Sequence, residues 1–252
     1  MNDAVFISDL HLHPESAFLT RRFKQWVCWA LKNTRTVYIL GDFFHAWAGD
    51  DTLDAWSRSI AAQLAQFHDH DIPVYFMAGN RDFLVGQDFA HLAKINIIDE
   101  PYVTEFGHDR VLIVHGDRYC TLDTAHQWFR KVTRHGFFRQ FFLALPRRFR
   151  EKIVYQVRKQ SQSRMLPKSK MMTVSESLGI EAIQHDVNII IHGHTHDPMR
   201  ISHQYHGKNF EQIVLSDWEE NVLILCYNEN KTFYYVKFDE ENDNACSCHN
   251  PG

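Results

Sequence analysis

This chain has too few cysteines, too irregularly placed, to be held together by disulfides. Its five, Cys28, Cys120, Cys226, Cys246 and Cys248, are an odd number without framework spacing. That argues against the small stapled secreted folds and suits a reducing cytoplasm. A long apolar run is missing too: the richest window, FFRQFFLALP (137–146), falls short of the roughly 20 residues that a spanning helix needs. The N-terminus, MNDAVFISDL, carries an acid where a secretory signal would carry its basic region, so no signal peptide is expected. Neither G-x-G-x-x-G nor G-x-x-x-x-G-K-[ST] occurs, which sets aside a zinc-dependent oxidoreductase and a nucleotide-driven ATPase. There is no internal repeat and no low-complexity tract. The tail CSCHN (246–250) reads as a frayed polar terminus rather than a metal grip, and 241–252 is expected to be disordered.

Acids are scarce in one stretch. Between Arg130 and Lys170 there are thirteen Lys or Arg against the single acid Glu151, about +12, and since the whole chain carries −4 the remainder carries about −16. One face or one appendage is therefore basic. A length of 252 residues fits one large α/β domain.

What the sequence does contain is a series of short apolar runs, each followed by a polar cluster. AVFI (4–7) precedes SDLH, VYIL (37–40) precedes GDFF, VYFM (74–77) precedes AGNRD, VLIV (111–114) precedes HGD, and NIII (188–191) precedes HGHTH. Runs so short and so rich in Val, Ile, Phe and Tyr read as strands buried on both faces. Helical patterns such as FKQWVCWAL (23–31) and WSRSIAAQLAQF (56–67) separate most of them, which predicts βαβ crossovers and polar groups gathered at one edge of a sheet. After Pro198, FEQIVL (210–215), VLILCY (222–227) and FYYVKF (233–238) read as strands that extend or complete a second sheet. The long gap from His115 to His192 holds the basic segment. In it Phe137, Phe138, Phe141, Phe142 and Leu145 recur at helical spacing and Pro146 marks a break, so a helical insertion is expected.

Asp9, His11, Asp42, Asn80, His115, His194 and His196 all fall at or just beyond the strand ends. Oxygen donors mixed with imidazoles fit Mn²⁺, Fe²⁺ or Zn²⁺ better than Ca²⁺. Seven ligands exceed what one tetrahedral ion uses, whereas two ions about 3.5–4 Å apart, sharing a carboxylate, would use them all. Gly41, Gly79, Gly116 and Gly193 allow the backbone to turn and approach closely. His192 is expected to support or pack rather than ligate.

The series SDLH, GD, GN, HGD and GHTH resembles the signature of the calcineurin-like metallophosphoesterases. The resemblance implies an α/β fold: a metallophosphoesterase-like β-sandwich flanked by helices (αββα), with a helical cap at about 124–178 inside a single domain spanning 1–240. It also implies that Asp9, His11, Asp42 and His196 hold one ion, and that Asp42, Asn80, His115 and His194 hold a second.

That broad family usually reads GNH where this chain reads GNRDF. Arg81 stays protonated, so it neutralises charge but is a poor proton donor, which favours a leaving group that needs no proton, such as a phosphate. GDFFHAWAGDD (41–51), GNRDFLVG (79–86), HGDRYCTLD (115–123) and IHGHTHDP (191–198) are similar to the UDP-2,3-diacylglucosamine pyrophosphatase family of lipid A biosynthesis in Gram-negative bacteria. The likeness implies a Mn²⁺-dependent hydrolase on the cytoplasmic face of the inner membrane. It would release UMP and 2,3-diacylglucosamine 1-phosphate by two-metal attack on the uridylyl-side phosphorus. It further implies substrate contacts from Asn80, Arg81, Asp123, Arg158, Ser161, Lys168 and His194, with Asn80, Arg81 and His194 acting in catalysis. Met165 stands where a polar residue is expected and Ser216 where a glycine is usual. The Phe-rich stripe has two readings, an amphipathic hairpin packed on its own domain or a lid that receives acyl chains and, with its arginines, meets a membrane surface. No nucleic-acid partner is expected. A phosphodiesterase or nucleotidase acting on soluble nucleotides, and a non-catalytic module on the same fold, remain as alternatives.

Overall fold

The strands are apolar throughout because both of their faces are covered. In β1 (Asn2–Ile7), Val5 and Ile7 meet one hydrophobic cluster while Ala4 and Phe6 meet another. In β2 (Val37–Leu40), Val37 and Ile39 divide from Tyr38 and Leu40 in the same way. This is the period-2 alternation of a sheet buried on two sides. The structure, a computed structural model, describes residues 1–163, 173–219 and 221–238.

Two sheets face each other. In the first, β1, β2, β3 (Val74–Met77) and β4 (Asn96–Ile98) run parallel. The strands β10 (Leu223–Asn228) and β11 (Phe233–Lys237) join antiparallel beside β1, giving the order β11-β10-β1-β2-β3-β4. The second sheet contains β5 (Tyr102–Phe106), β6 (Asp109–Ile113), β7 (Ile189–His192), β8 (Met199–Tyr205) and β9 (Lys208–Val214) in the order β5-β6-β7-β9-β8. Phe6, Tyr38 and Leu225 from the first sheet interdigitate with Val111, Ile113, Ile189 and Ile191 from the second. Outside the first sheet lie α1 (Ala17–Asn33), α2 (Ala55–Asp69) and α3 (Gln87–Ala93). The helix we number α7 (Ser175–Gln184) places Leu178 and Ala182 on the outer face of the second sheet, against Leu112, Ile190 and Phe210. The layers run αββα.

Helix ends are set locally. Ser16 caps α1, accepting from the Leu19 amide at 3.2 Å. Asp54 and Ser57 form a reciprocal capping box at the start of α2. Phe23, Trp26, Val27 and Ala30 then bury one stripe of α1, and Ile60, Ala61, Leu64 and Phe67 one stripe of α2.

Two sequence expectations need correction. The five motif-bearing strands do not share a sheet: β1, β2 and β3 lie in the first, β6 and β7 in the second. Their carboxyl ends meet at a common rim of the sandwich instead. Of the strands after Pro198, β9 belongs to the second sheet, but β10 and β11 complete the first. The cause is burial, since Ile224 and Cys226 face the helices while Leu225 and Tyr227 face the other sheet, a pairing only β1's open edge satisfies.

Between β6 and β7 come α4 (Thr124–Thr133), α5 (Gly136–Ala144) and α6 (Arg147–Ser163), with Pro146 at the α5–α6 break. The phenylalanine stripe divides. Phe142 is 6% exposed and, with Phe138 and Leu145, sits against the first sheet's outer cluster, whereas Phe137 and Phe141 are 78% and 68% exposed. The tail expected at 241–252 lies outside the described residues.

Candidate metal centre

Three of the five motifs, those after β1, β2 and β7, leave their strands through non-glycine residues held in the left-handed region. Asp9 (φ 55°), His11 (φ 51°), Asp42 (φ 51°), His194 (φ 69°) and His196 (φ 60°) all have positive φ, and none is glycine. An L-residue there costs about 1–2 kcal/mol. Strain of this kind persists where the surroundings over-determine it, and it clusters at functional sites. Here it turns five side chains inward. Two glycines make the approach possible: a Cβ at Gly79 would strike the backbone nitrogen and carboxylate of Asp42, and one at Gly193 would strike Ser8 and Asp9.

The result is two groups of ligand atoms. Those of Asp9, His11 and His196 lie within 4.8 Å of one another, and so do those of Asp42, His115 and His194. Asn80 reaches the second group, its Oδ1 standing 2.9 Å from His115 Nε2. The groups are stitched together. The His194 amide donates to Asp9 Oδ2 at 2.8 Å, the Asp9 amide to the Gly41 carbonyl at 3.1 Å, and the His11 amide to the Asp42 carbonyl at 3.0 Å. All seven expected ligand residues thus converge on one rim.

The donor set fits divalent cations. Asp9 Oδ1 and His11 Nδ1 are buried without a hydrogen bond, and His11 Nε2 faces His196 Nε2 at 3.4 Å. A buried carboxylate oxygen lacking a donor and two imidazole nitrogens aimed at one point are costly in a protein interior and natural around a cation. Outer partners orient the imidazoles: His115 Nδ1 is 2.8 Å from the Leu40 carbonyl and His196 Nδ1 is 3.4 Å from Asp217 Oδ2. Each leaves Nε2 pointing inward.

Charge is densely balanced. Burial by itself would raise Asp9 and Asp42. The imidazoles of His196, His115 and His11 hold Asp9 below the usual carboxylate range instead, while His115, Arg81 and His11 do so for Asp42. Burial, reinforced by nearby cations, lowers His11 and His194 to about 3. In His115, burial is outweighed by Asp42 and Asp9 and the pKa rises to about 9; in His196, Asp217 and Asp9 raise it to about 10.

The other expected residues divide. Arg81 donates its amide to Asp42 Oδ1 at 2.8 Å and sets its Nε 3.0 Å from Asp42 Oδ2. Arg158, half-buried, gives Nη2 to the Asn80 carbonyl at 3.1 Å. Asp123 accepts from the His126 amide at 3.1 Å as the N-cap of α4, a local duty that the sequence reading did not assign it. Ser161 falls in the C-terminal part of α6, and Lys168 and Met165 lie outside the described residues. His192 is fully buried, bonded to Gln212 at 2.8 Å, in a supporting position.

Several residues that position the site were missed. Asp82 is fully buried and accepts from the amides of Gly79 (2.7 Å), Phe43 (2.8 Å) and Phe44 (3.3 Å), locking the GDFF turn to the GN turn. Burial and the neighbouring Asp42 push it up to about 6. Glu100 accepts from the His115 amide (3.0 Å) and from Arg130 (2.9 Å). Arg130 also holds Asp117 at 3.1 Å, and Arg134 donates to the carbonyls of Ala78 and Gly79. His126, Arg130 and Arg134 are four apart and share a face, so α4 is bolted to the rim. Part of the basic segment therefore binds its own protein. The only signal in the sequence was that spacing, which solvated surface charge imitates.

An αββα sandwich with paired carboxylate–imidazole clusters on its rim defines a metal-dependent hydrolase. The model of the calcineurin-like phosphoesterases matches residues 4–198, and the chain belongs to that family. Among its relatives, the UDP-2,3-diacylglucosamine hydrolase of Xanthomonas oryzae pv. oryzae (strain PXO99A) is 38% identical over 230 residues, 88% of this chain and 93% of that one. The protein of the same name from Coxiella burnetii (strain Dugway 5J108-111) is 35% identical over 240 residues, 94% and 98% of the two chains. Among solved structures, a novel archaeal phosphodiesterase aligns with a TM-score of 0.48 at 14% identity, over 93% of this chain and 99% of that one.

Proposed function

We propose that this chain hydrolyses the pyrophosphate bond of UDP-2,3-diacylglucosamine, releasing UMP and 2,3-diacylglucosamine 1-phosphate for lipid A biosynthesis. One observation carries the reading: two three-residue metal-ligand clusters share a rim in a chain that aligns over most of its length, at 34–38% identity, with hydrolases of that name.

Asp9, His11, Asp42 and His196 would hold one cation and Asp42, Asn80, His115 and His194 the other, with Mn²⁺ the favoured metal. When bound, these ions supply Lewis acidity to the phosphoryl oxygens. Arg81, Asn80 and His194 stabilise charge on the transferring phosphoryl group. Arg81 keeps its proton, so the leaving group departs as a phosphate with no general acid. Water attacks the uridylyl-side phosphorus in line with the departing sugar phosphate. Arg158 can face phosphate and Asp123 can accept from the sugar or base, and Ser161 and Lys168 are proposed as further substrate contacts.

The insertion at about 124–178 acts as a cap over the acyl chains. No helix among the described residues is long and apolar enough to cross a membrane. The exposed Trp128, Phe137, Phe141 and Phe149, set among arginines, suit a peripheral position on the cytoplasmic face of the inner membrane. The test is turnover with Mn²⁺ in ¹⁸O-water. Label in UMP is expected. Label in the lipid phosphate contradicts the direction of attack, and faster cleavage of bis-p-nitrophenyl phosphate than of the lipid nucleotide contradicts the substrate.

A further inference from the structure

A cavity of about 690 Å³ opens between α6 and the loops that follow β1 and β2. Its volume is that of a small-molecule site, which commonly spans about 300–1,000 Å³. Its walls are built by residues that neighbour the metal centre along the chain. His13 follows the ligand His11 by two residues, and His45 follows Asp42 by three. The His45 amide donates to the Leu12 carbonyl at 2.9 Å, so the two loops form one wall. On the opposite wall stands Arg158, which reaches back to the carbonyl of Asn80 at 3.1 Å. A phosphoryl group at the metals would therefore meet the mouth of this cavity through Arg158.

The chemistry of the lining decides which end of the substrate enters. Six of its fourteen lining residues are charged and two more are histidines. An acyl chain placed here would strip water from those groups and return no hydrogen bonds, a cost for each. A nucleoside has the opposite needs. Its pyrimidine ring wants an aromatic face, which Tyr155 and the rings of His13 and His45, centroids 5.4 Å apart, can supply. Its carbonyls and ribose hydroxyls want donors and acceptors, which Lys159 and Glu15 can supply. Phe138, Phe142 and Leu145 meanwhile turn from α5 and its C-terminus toward an apolar cluster of the core.

We infer that this cavity is the nucleoside subsite, taking the uridine of the substrate between Tyr155 on the cap and the His13–His45 wall. The acyl chains leave the metals on the other side of Arg158. The inference rests on the proposed function and adds to it the residues that read the nucleotide half.

The test compares two product inhibitors. For wild type, Tyr155→Ala and His45→Ala, all loaded with Mn²⁺, inhibition constants are measured for UMP and for 2,3-diacylglucosamine 1-phosphate. Cleavage of bis-p-nitrophenyl phosphate reports the metal centre. The expected result is a rise of tenfold or more in the UMP constant for Tyr155→Ala, with the lipid constant and aryl-phosphodiester cleavage within twofold of wild type. Unchanged UMP inhibition overturns the subsite, and so does a larger shift in the lipid constant, which would assign the cavity to acyl chains. If His45→Ala disturbs aryl-phosphodiester cleavage, Tyr155→Ala on the exposed helix decides. Failure of the wild-type chain to cleave UDP-2,3-diacylglucosamine strikes the proposed function itself, whereas an active wild type with unshifted variants strikes the subsite alone.

Discussion

Replacing Asp82 tests whether the metal rim is built by one buried carboxylate. Asp82 Oδ1 takes the Gly79 amide at 2.7 Å, and Oδ2 takes those of Phe43 at 2.8 Å and Phe44 at 3.3 Å. Hydrogen bonds to a charged acceptor contribute about 1.5–3 kcal/mol each, so the two short ones together are worth about 3–6 kcal/mol. Asp82→Ala loses both and leaves buried amides without acceptors, a large share of the roughly 5–15 kcal/mol that holds a typical domain. Asp82→Asn keeps one oxygen and turns its –NH₂ toward the other donors, so about half of that loss is expected. The assay is guanidinium denaturation at pH 8, where a carboxyl pushed up to about 6 is ionised, with chelator present so that lost metal affinity is not counted as lost stability. An alanine variant within 1 kcal/mol of wild type would refute the reasoning, as would an asparagine variant less stable than the alanine one.

Further outcomes follow from the same geometry. Asp42→Ala should abolish turnover on any phosphodiester, because that carboxylate would ligate both ions of the proposed pair; near wild-type rates would contradict this. Arg81→Ala should lower kcat by about 10²–10³, the scale of a lost charge-stabilising donor, and steady-state kinetics on the lipid nucleotide would check it. Phe142→Ala should cost about 3–5 kcal/mol as a core truncation, whereas Phe141→Ala should stay within about 0.5 kcal/mol because its ring is exposed; equal denaturation midpoints for the two would contradict the division of the stripe. Asp117 is held well below the ordinary carboxylate range: burial would raise it, but His126, His115 and Arg130 outweigh that. A depressed folded pKa gives stability that is present above the unfolded value and lost as pH falls through the folded one. The denaturation difference between wild type and Asp117→Asn should thus be constant above about pH 5, start to shrink as pH falls through the unfolded value of about 4, and vanish only well below it. A difference that changed between pH 5 and 7 would contradict the assignment.

The sequence made the metal centre more legible than the scaffold. Strands with both faces covered, such as VYIL, have a pattern that nothing in a loop imitates, and the residues just after them were placed by the turn. What the pattern could not carry was sheet membership. Ile224 and Leu225 read alike as apolar residues, and only the edge left open beside β1 determines that β10 pairs there. β5 and β8 went unread because one side of each is wet, so YVTEF and MRISHQY look mixed in polarity. The buried acids Asp82, Glu100 and Asp117 were invisible for another reason. Each is recognised by the backbone amides, arginines or histidine around it, and those partners come from elements far apart in the chain.

Electron paramagnetic resonance of the chain titrated with Mn²⁺ addresses the central claim most directly, that these seven side chains cradle two cations joined by Asp42. A multiline signal from an exchange-coupled pair should grow in with the second equivalent and be missing in Asp42→Ala. Isolated, uncoupled Mn²⁺ at two equivalents, or an unaltered coupled signal in Asp42→Ala, would contradict it.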